Sequence, residues 1–269
     1  MAERVIVYPH IPKCAGVTLS SIMRLNFRRS RTLHPHTFDK PVADEMLSFT
    51  AESREQATFV WGHFHYGVHL YLGGRPTYVT VLRDPVQRVA SLYGFILREP
   101  SHPLHERLNA GVSLEEYVSS GMDGDMTPNG QTRQVSGQQY GEMGPSALES
   151  AKRNLNAFAV VGITERFDET FVLVRRRLGL VMPFYVTRNV TRTERIVSEE
   201  AEQMIRERNQ MDLSLYAHAE EVFARQIAAE GPSFGREVAR LRRLNPAVSA
   251  LGRRVEPALA RVGKTLTGF

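Results

Sequence analysis

A lysine, a glycine and a threonine stand together in the stretch Ile11-Pro12-Lys13-Cys14-Ala15-Gly16-Val17-Thr18. Five residues that read as strand precede it, and an apolar pattern that reads as helix follows. That is the layout of an anion-binding turn. The N–H groups that open a helix are unpaired and carry the positive end of its dipole, and a glycine lets the backbone come close to a ligand. Lys13 adds a point charge and Thr18 a hydroxyl donor. The order is not that of the ATP and GTP loop, because the lysine precedes the glycine. The plainer reading is a βα turn with a solvated lysine. Cys14 lies where positive surroundings would depress a thiol pKa, but no base accompanies it, so it reads as filler rather than nucleophile.

A second stretch, Val81-Leu82-Arg83-Asp84-Pro85-Val86-Gln87-Arg88-Val89-Ala90-Ser91-Leu92-Tyr93, places Arg83 at the end of a predicted strand, where open parallel sheets bind ligands. Ser91 follows about two helical turns later. An arginine and a hydroxyl so placed could clamp a second phosphate. The plainer reading makes Asp84 a helix cap, Pro85 the first helical residue and Arg83 half of a surface ion pair.

The third stretch is Gly62-His63-Phe64-His65-Tyr66-Gly67-Val68-His69. An imidazole suits the removal of a hydroxyl proton near neutral pH. His63 directly follows a predicted strand and is the first candidate base, with His65 the second. His63, His65 and His69 could also suggest zinc, but no carboxylate or thiol has matching spacing, and no metal is expected. His34, His36, His102 and His105 read as loop residues. Trp61, Tyr93 and Phe95 read as core or as walls of a base pocket, since the repeated basic-aromatic pattern of a nucleic-acid platform is missing.

Together these segments resemble one family, the sulfotransferases that use 3′-phosphoadenosine 5′-phosphosulfate. HIPKCAGVTL is similar to their 5′-phosphosulfate loop, and LRDPVQRVASLY to their 3′-phosphate segment, with Arg and Ser eight apart. GHFHYG resembles the histidine-bearing segment of the heparan sulfate 2-O-sulfotransferase branch. NGQTRQVSG and VVGITERFD resemble that branch's next conserved stretches. The likeness runs in the family's order from about residue 5 to 220 and does not cover the chain beyond about 230. It implies a soluble, bacterial-type member with a core like the P-loop nucleotide kinases. It implies Pro12, Lys13, Cys14, Ala15, Gly16, Val17 and Thr18 at the 5′-phosphosulfate, and Arg83 and Ser91 at the 3′-phosphate. It also implies His63 as general base, Lys13 beside the bridging oxygen and leaving phosphate, and residues 187–193 (TRNVTRT) as a basic loop over the co-substrate. The acceptor implied is a hydroxyl, of a glycan or glycolipid.

The elements that must position these residues follow from periodicity. Strands are expected at Arg4–Tyr8, Ala57–Trp61, Pro76–Leu82 and Ala159–Ile163. Helices are expected at Val17–Phe27, Val86–Leu97, from Ser113, at Ala147–Ala157, at Phe167–Leu178 stopped by Gly179, and as two pieces within Val197–Ala229. Met122–Gly144 reads as irregular. The alternation predicts a three-layer α/β fold with a mostly parallel sheet and appended C-terminal helices. The chain has 269 residues, 42% hydrophobic, enough for one such domain at 1–230, followed by a basic tail at 231–269.

Between Pro232 and Phe269 stand eight Lys/Arg and two acidic residues, against 26 and 27 in the rest, so the body is nearly neutral. Its high isoelectric point therefore argues for no nucleic-acid partner. The tail's apolar residues recur every three or four positions, interrupted near Pro246 and Pro257, as on a basic amphipathic helix that could meet a membrane or a polyanion. The apolar run Val5–Tyr8 is too short for a signal core, and the single cysteine allows no internal disulfide. A cytoplasmic location, peripheral to the membrane at most, is expected, with the sequon at Asn189 accidental. The competing readings are a small-molecule kinase, which lacks an evident metal carboxylate and a lysine after the glycine, and a non-catalytic polyanion binder acting through the tail.

Overall fold

Val5, Ile6, Val7 and Tyr8 are all buried, and the strand they form, β1 (Arg4–Pro9), is the middle of a five-stranded sheet. The computed structural model describes residues 3–37, 40–186 and 197–267, with side chains as far as residue 252, Asp125 apart. After β1 come α1 (Gly16–Arg24), β2 (Thr32–Leu33), α2 (Val42–Leu47), α3 (Ala51–Gln56), β3 (Phe59–Gly62), β4 (Arg75–Leu82) and α4 (Pro85–Ile96). Then follow α5 (His105–Asn109), α6 (Leu114–Ser120), α7 (Gly130–Ser136), α8 (Pro145–Ala157), β5 (Val160–Ile163) and α9 (Phe167–Leu178). The chain ends in α10 (Glu199–Arg208), α11 (Gln210–Ala228) and α12 (Ser233–Thr267).

The sheet order is β2-β3-β1-β4-β5, and every pairing is parallel. The interior residues of β1, β4 and β5 are buried in unbroken runs, as strands covered on both faces must be, which gives the expected three-layer α/β architecture. No helix among the described residues is long and apolar enough to cross a membrane.

This topology decides where the chemistry collects. In a parallel sheet all carboxyl ends line one edge, and β3, β1 and β4 are neighbours. His63 follows β3, the Lys13 loop follows β1, and Arg83 follows β4. Adjacent strands lie about 4.8 Å apart, so three segments distant in sequence start within ~10 Å of one another. The order reverses on either side of β1, and the crevice at such a switch point is the usual ligand site of an open α/β sheet.

Local chemistry fixes the helices that follow. The Asp84 side chain accepts the Gln87 N–H at 2.9 Å and Pro85 opens α4. Ser113 caps α6 through Glu116 N–H at 3.1 Å, and α9 stops at Gly179. A second apolar cluster, with Val89, Leu92, Ile96, Tyr117 and Ile205, packs α6 and α10 under α4.

Two expectations are corrected. Met122–Gly144 is not simply irregular, because it contains α7, whose Gln131, Thr132, Arg133, Gln134 and Val135 are all buried. Its polar residues hide no apolar period, and what holds it is tertiary. Asp212 of α11 accepts the N–H groups of Gln131 (3.1 Å) and Thr132 (2.7 Å) and the Thr132 hydroxyl (2.8 Å). The tail helix is also not interrupted at its prolines, since α12 runs through both Pro246 and Pro257. A proline inside a helix costs about 3 kcal/mol, and anchors on its N-terminal half offset this. Phe234, Val238 and Leu241 are buried in the main core. Glu237 pairs with Arg175 and Arg176, Arg242 with Asp168, and Asn245 Oδ1 accepts the Tyr185 N–H at 2.9 Å. The tail's basic side chains from Arg253 onward, like residues 187–193, lie outside what the structure describes.

Candidate active site

The loop after β1 holds two non-glycine residues in the left-handed region, Lys13 (φ 68°) and Ala15 (φ 56°), with Cys14 between them. Such strain persists only where the surroundings impose it, and alternation of left- and right-handed residues turns successive N–H groups to one side as an anion cradle. No side chain caps α1, whose N-cap is Ala15. Cys14 is the exception in the loop. Its N–H is spent on Ile11 O (3.3 Å), and its buried thiol faces Gln131 Oε1 at 3.6 Å. Burial pushes that thiol up to about 12. The depressed pKa that the loop's charge suggested is therefore overturned, because desolvation outweighs Arg88 and Arg83.

Gly16 is required for a reason the sequence did not reveal. A Cβ there would stand 1.7 Å from Nε2 of His10, whose ring packs on the loop. Thr18 is buried just beyond it, and Val17 faces outward.

Lys13 reaches toward α4. Its Nζ lies 4.1 Å from the centre of the Phe95 ring, one helical turn after Ser91 on the same face, so the loop lysine and the half-buried Ser91 share one wall. Partial burial, with Arg98 and Arg83 nearby, lowers the Lys13 pKa to about 8. Arg83 joins the two anion segments directly, its Nη1 donating to Lys13 O at 3.1 Å. The side-chain amide of Gln131 fixes the backbone beneath it, accepting Arg83 N–H (3.0 Å) and donating to Arg83 O (2.9 Å).

His63 is held from the other side. Gly62, at φ 152°, admits no side chain, since a Cβ would meet Pro35 O at 2.3 Å. His63 Nδ1 lies 2.9 Å from His10 O. A carbonyl only accepts, so Nδ1 carries the proton and Nε2 keeps its lone pair. The same carbonyl accepts from Gln134 Nε2 at 3.2 Å. The His63 ring packs on His10 (4.4 Å between centres) and on the edge of His36 (5.2 Å). Burial, the largest cause, lowers its pKa to about 4; the hydrogen bond to the His10 carbonyl opposes it, and His36 and His34 add smaller lowering effects. His10 is also held well below its usual value by burial.

His65 is buried against Thr37, 3.2 Å from its hydroxyl, and His69 Nδ1 lies 2.8 Å from the Tyr78 hydroxyl. The three histidines of this segment therefore do not converge on one point. His34 and His36 lie in the loop after β2, as expected, where His34 stacks on Trp61 at 4.0 Å and meets His36 edge-on, whereas His105 opens α5 rather than lying in a loop. Sequence reasoning missed His10, Gln131 and Gln134. A glutamine pair three apart beside a valine, in a stretch so poor in apolar residues, was the available signal for a buried polar helix.

Stability should record the histidine burial. Native His63 resists protonation until about pH 4, whereas the unfolded chain takes the proton near 6.5. The unfolded state therefore binds more protons between those values, and stability is lost as pH falls through that window, by ~3 kcal/mol for this group. Urea midpoints should drop from pH 6.5 to 4.5, with a shallower drop in His63→Asn. An unchanged slope in that variant would contradict the assignment.

Residues 145–264 match the galactose-3-O-sulfotransferase family model. That match extends past residue 230, where the motif likeness ended. The chain is 27% identical over 279 residues to heparan-sulfate 6-O-sulfotransferase 2 of Danio rerio, covering 84% of this chain and 59% of that relative. To heparan sulfate 2-O-sulfotransferase 1 of Gallus gallus it is 28% identical over 195 residues, 65% of this chain and 54% of that relative. The chain thus spans somewhat over half the length of these two relatives.

Proposed function

We propose that this chain, which belongs to the family of sulfotransferases dependent on 3′-phosphoadenosine 5′-phosphosulfate, moves the sulfuryl group of that donor to a hydroxyl of a carbohydrate. The observation that carries the proposal is the joining of Lys13 and Arg83 at one crevice, through the bond from Arg83 Nη1 to Lys13 O, with the His10 ring packed between Gly16 of the same loop and a neutral His63. The donor carries phosphate at its 5′ and 3′ ends, and the crevice offers a cation for each.

The loop N–H groups and Lys13 hold the 5′-phosphosulfate, and Arg83 with Ser91 the 3′-phosphate. His63 Nε2 takes the proton of the acceptor hydroxyl as its oxygen bonds to sulfur. The bond from sulfur to the bridging oxygen breaks, and that oxygen's electron pair leaves on the 5′-phosphate beside Lys13. The products are a sulfate ester and 3′-phosphoadenosine 5′-phosphate. Positioning and charge neutralisation do most of the work, as in phosphoryl transfer. The relatives' names specify heparan sulfate, which supports a glycan acceptor.

Calorimetry tests the donor. 3′-Phosphoadenosine 5′-phosphate should bind more tightly than ATP or adenosine 5′-phosphate. Arg83→Ala should cost the doubly phosphorylated ligand about tenfold to a hundredfold, the worth of a charge-assisted hydrogen bond, and leave adenosine 5′-phosphate nearly unaffected. Equal binding of ATP by the wild-type chain would refute the reading.

A further inference from the structure

Glu165 occupies the one-turn helix Thr164–Arg166 at the carboxyl end of β5, next to the end of β4 where Arg83 emerges. Its carboxylate is fixed by two donors that do not involve Arg83. Oε1 accepts the Asp84 N–H at 3.2 Å, and Oε2 accepts the Tyr216 hydroxyl at 2.9 Å. Burial and Glu165 itself push the Tyr216 phenol upward, so it remains a donor. Arg83 Nε faces this fixed carboxylate at 3.8 Å and forms no hydrogen bond among the described residues. On its other side Nη1 is tied to Lys13 O. The guanidinium is therefore held at two points, one of them a charge that β5 and α11 keep in place.

Resting on the donor reading above, we infer that Glu165 is a positioning residue, backed by Tyr216, that aims the Arg83 guanidinium at a nucleotide 3′-phosphate. A long side chain left free spends rotamer entropy on binding, and a fixed carboxylate removes that cost in advance. The arrangement carries an opposite liability, since a carboxylate close to a bound phosphate repels it. The two effects differ in sign, so affinity distinguishes them.

The test is calorimetry with 3′-phosphoadenosine 5′-phosphate and adenosine 5′-phosphate on wild type, Glu165→Ala, Glu165→Gln, Tyr216→Phe, Arg83→Ala and the Glu165→Ala/Arg83→Ala double variant. The ratio of the two dissociation constants reads the 3′-phosphate preference. It should shrink about tenfold in Glu165→Ala, less in Glu165→Gln, which keeps the shape, and about threefold in Tyr216→Phe. In the Arg83→Ala background the Glu165 effect should vanish. A merely structural role would weaken both nucleotides alike, or persist without Arg83, and either result overturns the inference. Tighter binding of the doubly phosphorylated ligand by Glu165→Ala also overturns it, because repulsion then dominates. If wild type shows no 3′ preference, the donor reading itself falls. If wild type shows it and Glu165→Ala retains it, only the role of Glu165 falls.

Discussion

Replacing His63 by alanine lowers turnover about 10²–10⁴-fold, the usual worth of a positioned general base, while the affinity for 3′-phosphoadenosine 5′-phosphate changes little. The split follows from placement. Lys13 and Arg83 lie on the β1 and β4 side of the crevice, whereas His63 hangs from β3. Its Nδ1–H is committed to His10 O, so only Nε2 can act. A base of pKa about 4 is weak, but a bound polyanionic donor would favour the imidazolium and raise that value. The acid limb of kcat/KM, which reports the free enzyme, should accordingly fall near pH 4, and that of kcat at a higher pH. His65→Ala should instead lower the melting temperature with modest loss of turnover, because its ring fills a buried site against Thr37. Near-normal turnover in His63→Ala, with loss in His65→Ala, would reverse the assignment.

The parts of this site legible in the sequence are those that local chemistry dictates. A β-branched run followed by Pro12, Lys13 and Gly16 reads as strand and turn, and Asp84-Pro85 announces a helix start that the structure places there. Their convergence was legible as well, since an alternating pattern implies parallel strands with a common carboxyl edge. What could not be read depends on partners far along the chain. α7 exists because Asp212, some eighty residues away, satisfies its first N–H groups. Arg88 and Asp212 form a fully buried ion pair at 3.6 Å that looks, in sequence, like two unrelated surface charges. His10 acts through its carbonyl and through its packing on Gly16, neither of which its residue type reveals. The same holds for Cys14, whose pKa is set by burial that no loop pattern encodes.

Lys13→Met should damage donor binding and turnover together, lowering kcat/KM by about 10²–10³, the cost of losing one preorganised donor to developing charge. On the proposed function the lysine would meet the 5′-phosphosulfate in the ground state, and its charge would matter more as the bridging oxygen departs. Its pKa of about 8 adds a sharper test. Burial, Arg98 and Arg83 disfavour the ammonium in the free protein, and a bound anion would reverse that balance by favouring the charged form. Affinity for 3′-phosphoadenosine 5′-phosphate should therefore be undiminished near pH 7, where Lys13 is charged in both states and the phosphates are largely ionised. It should fall as pH rises through 8, where the free protein has lost the proton that the complex retains. Binding at pH 8.5 should take up a fraction of a proton, measured as a heat that varies with the ionisation enthalpy of the buffer, and Lys13→Met should abolish this. An affinity that stays flat from pH 7 to 9.5 in the wild-type protein would mean that Lys13 does not face the bound 5′-phosphate.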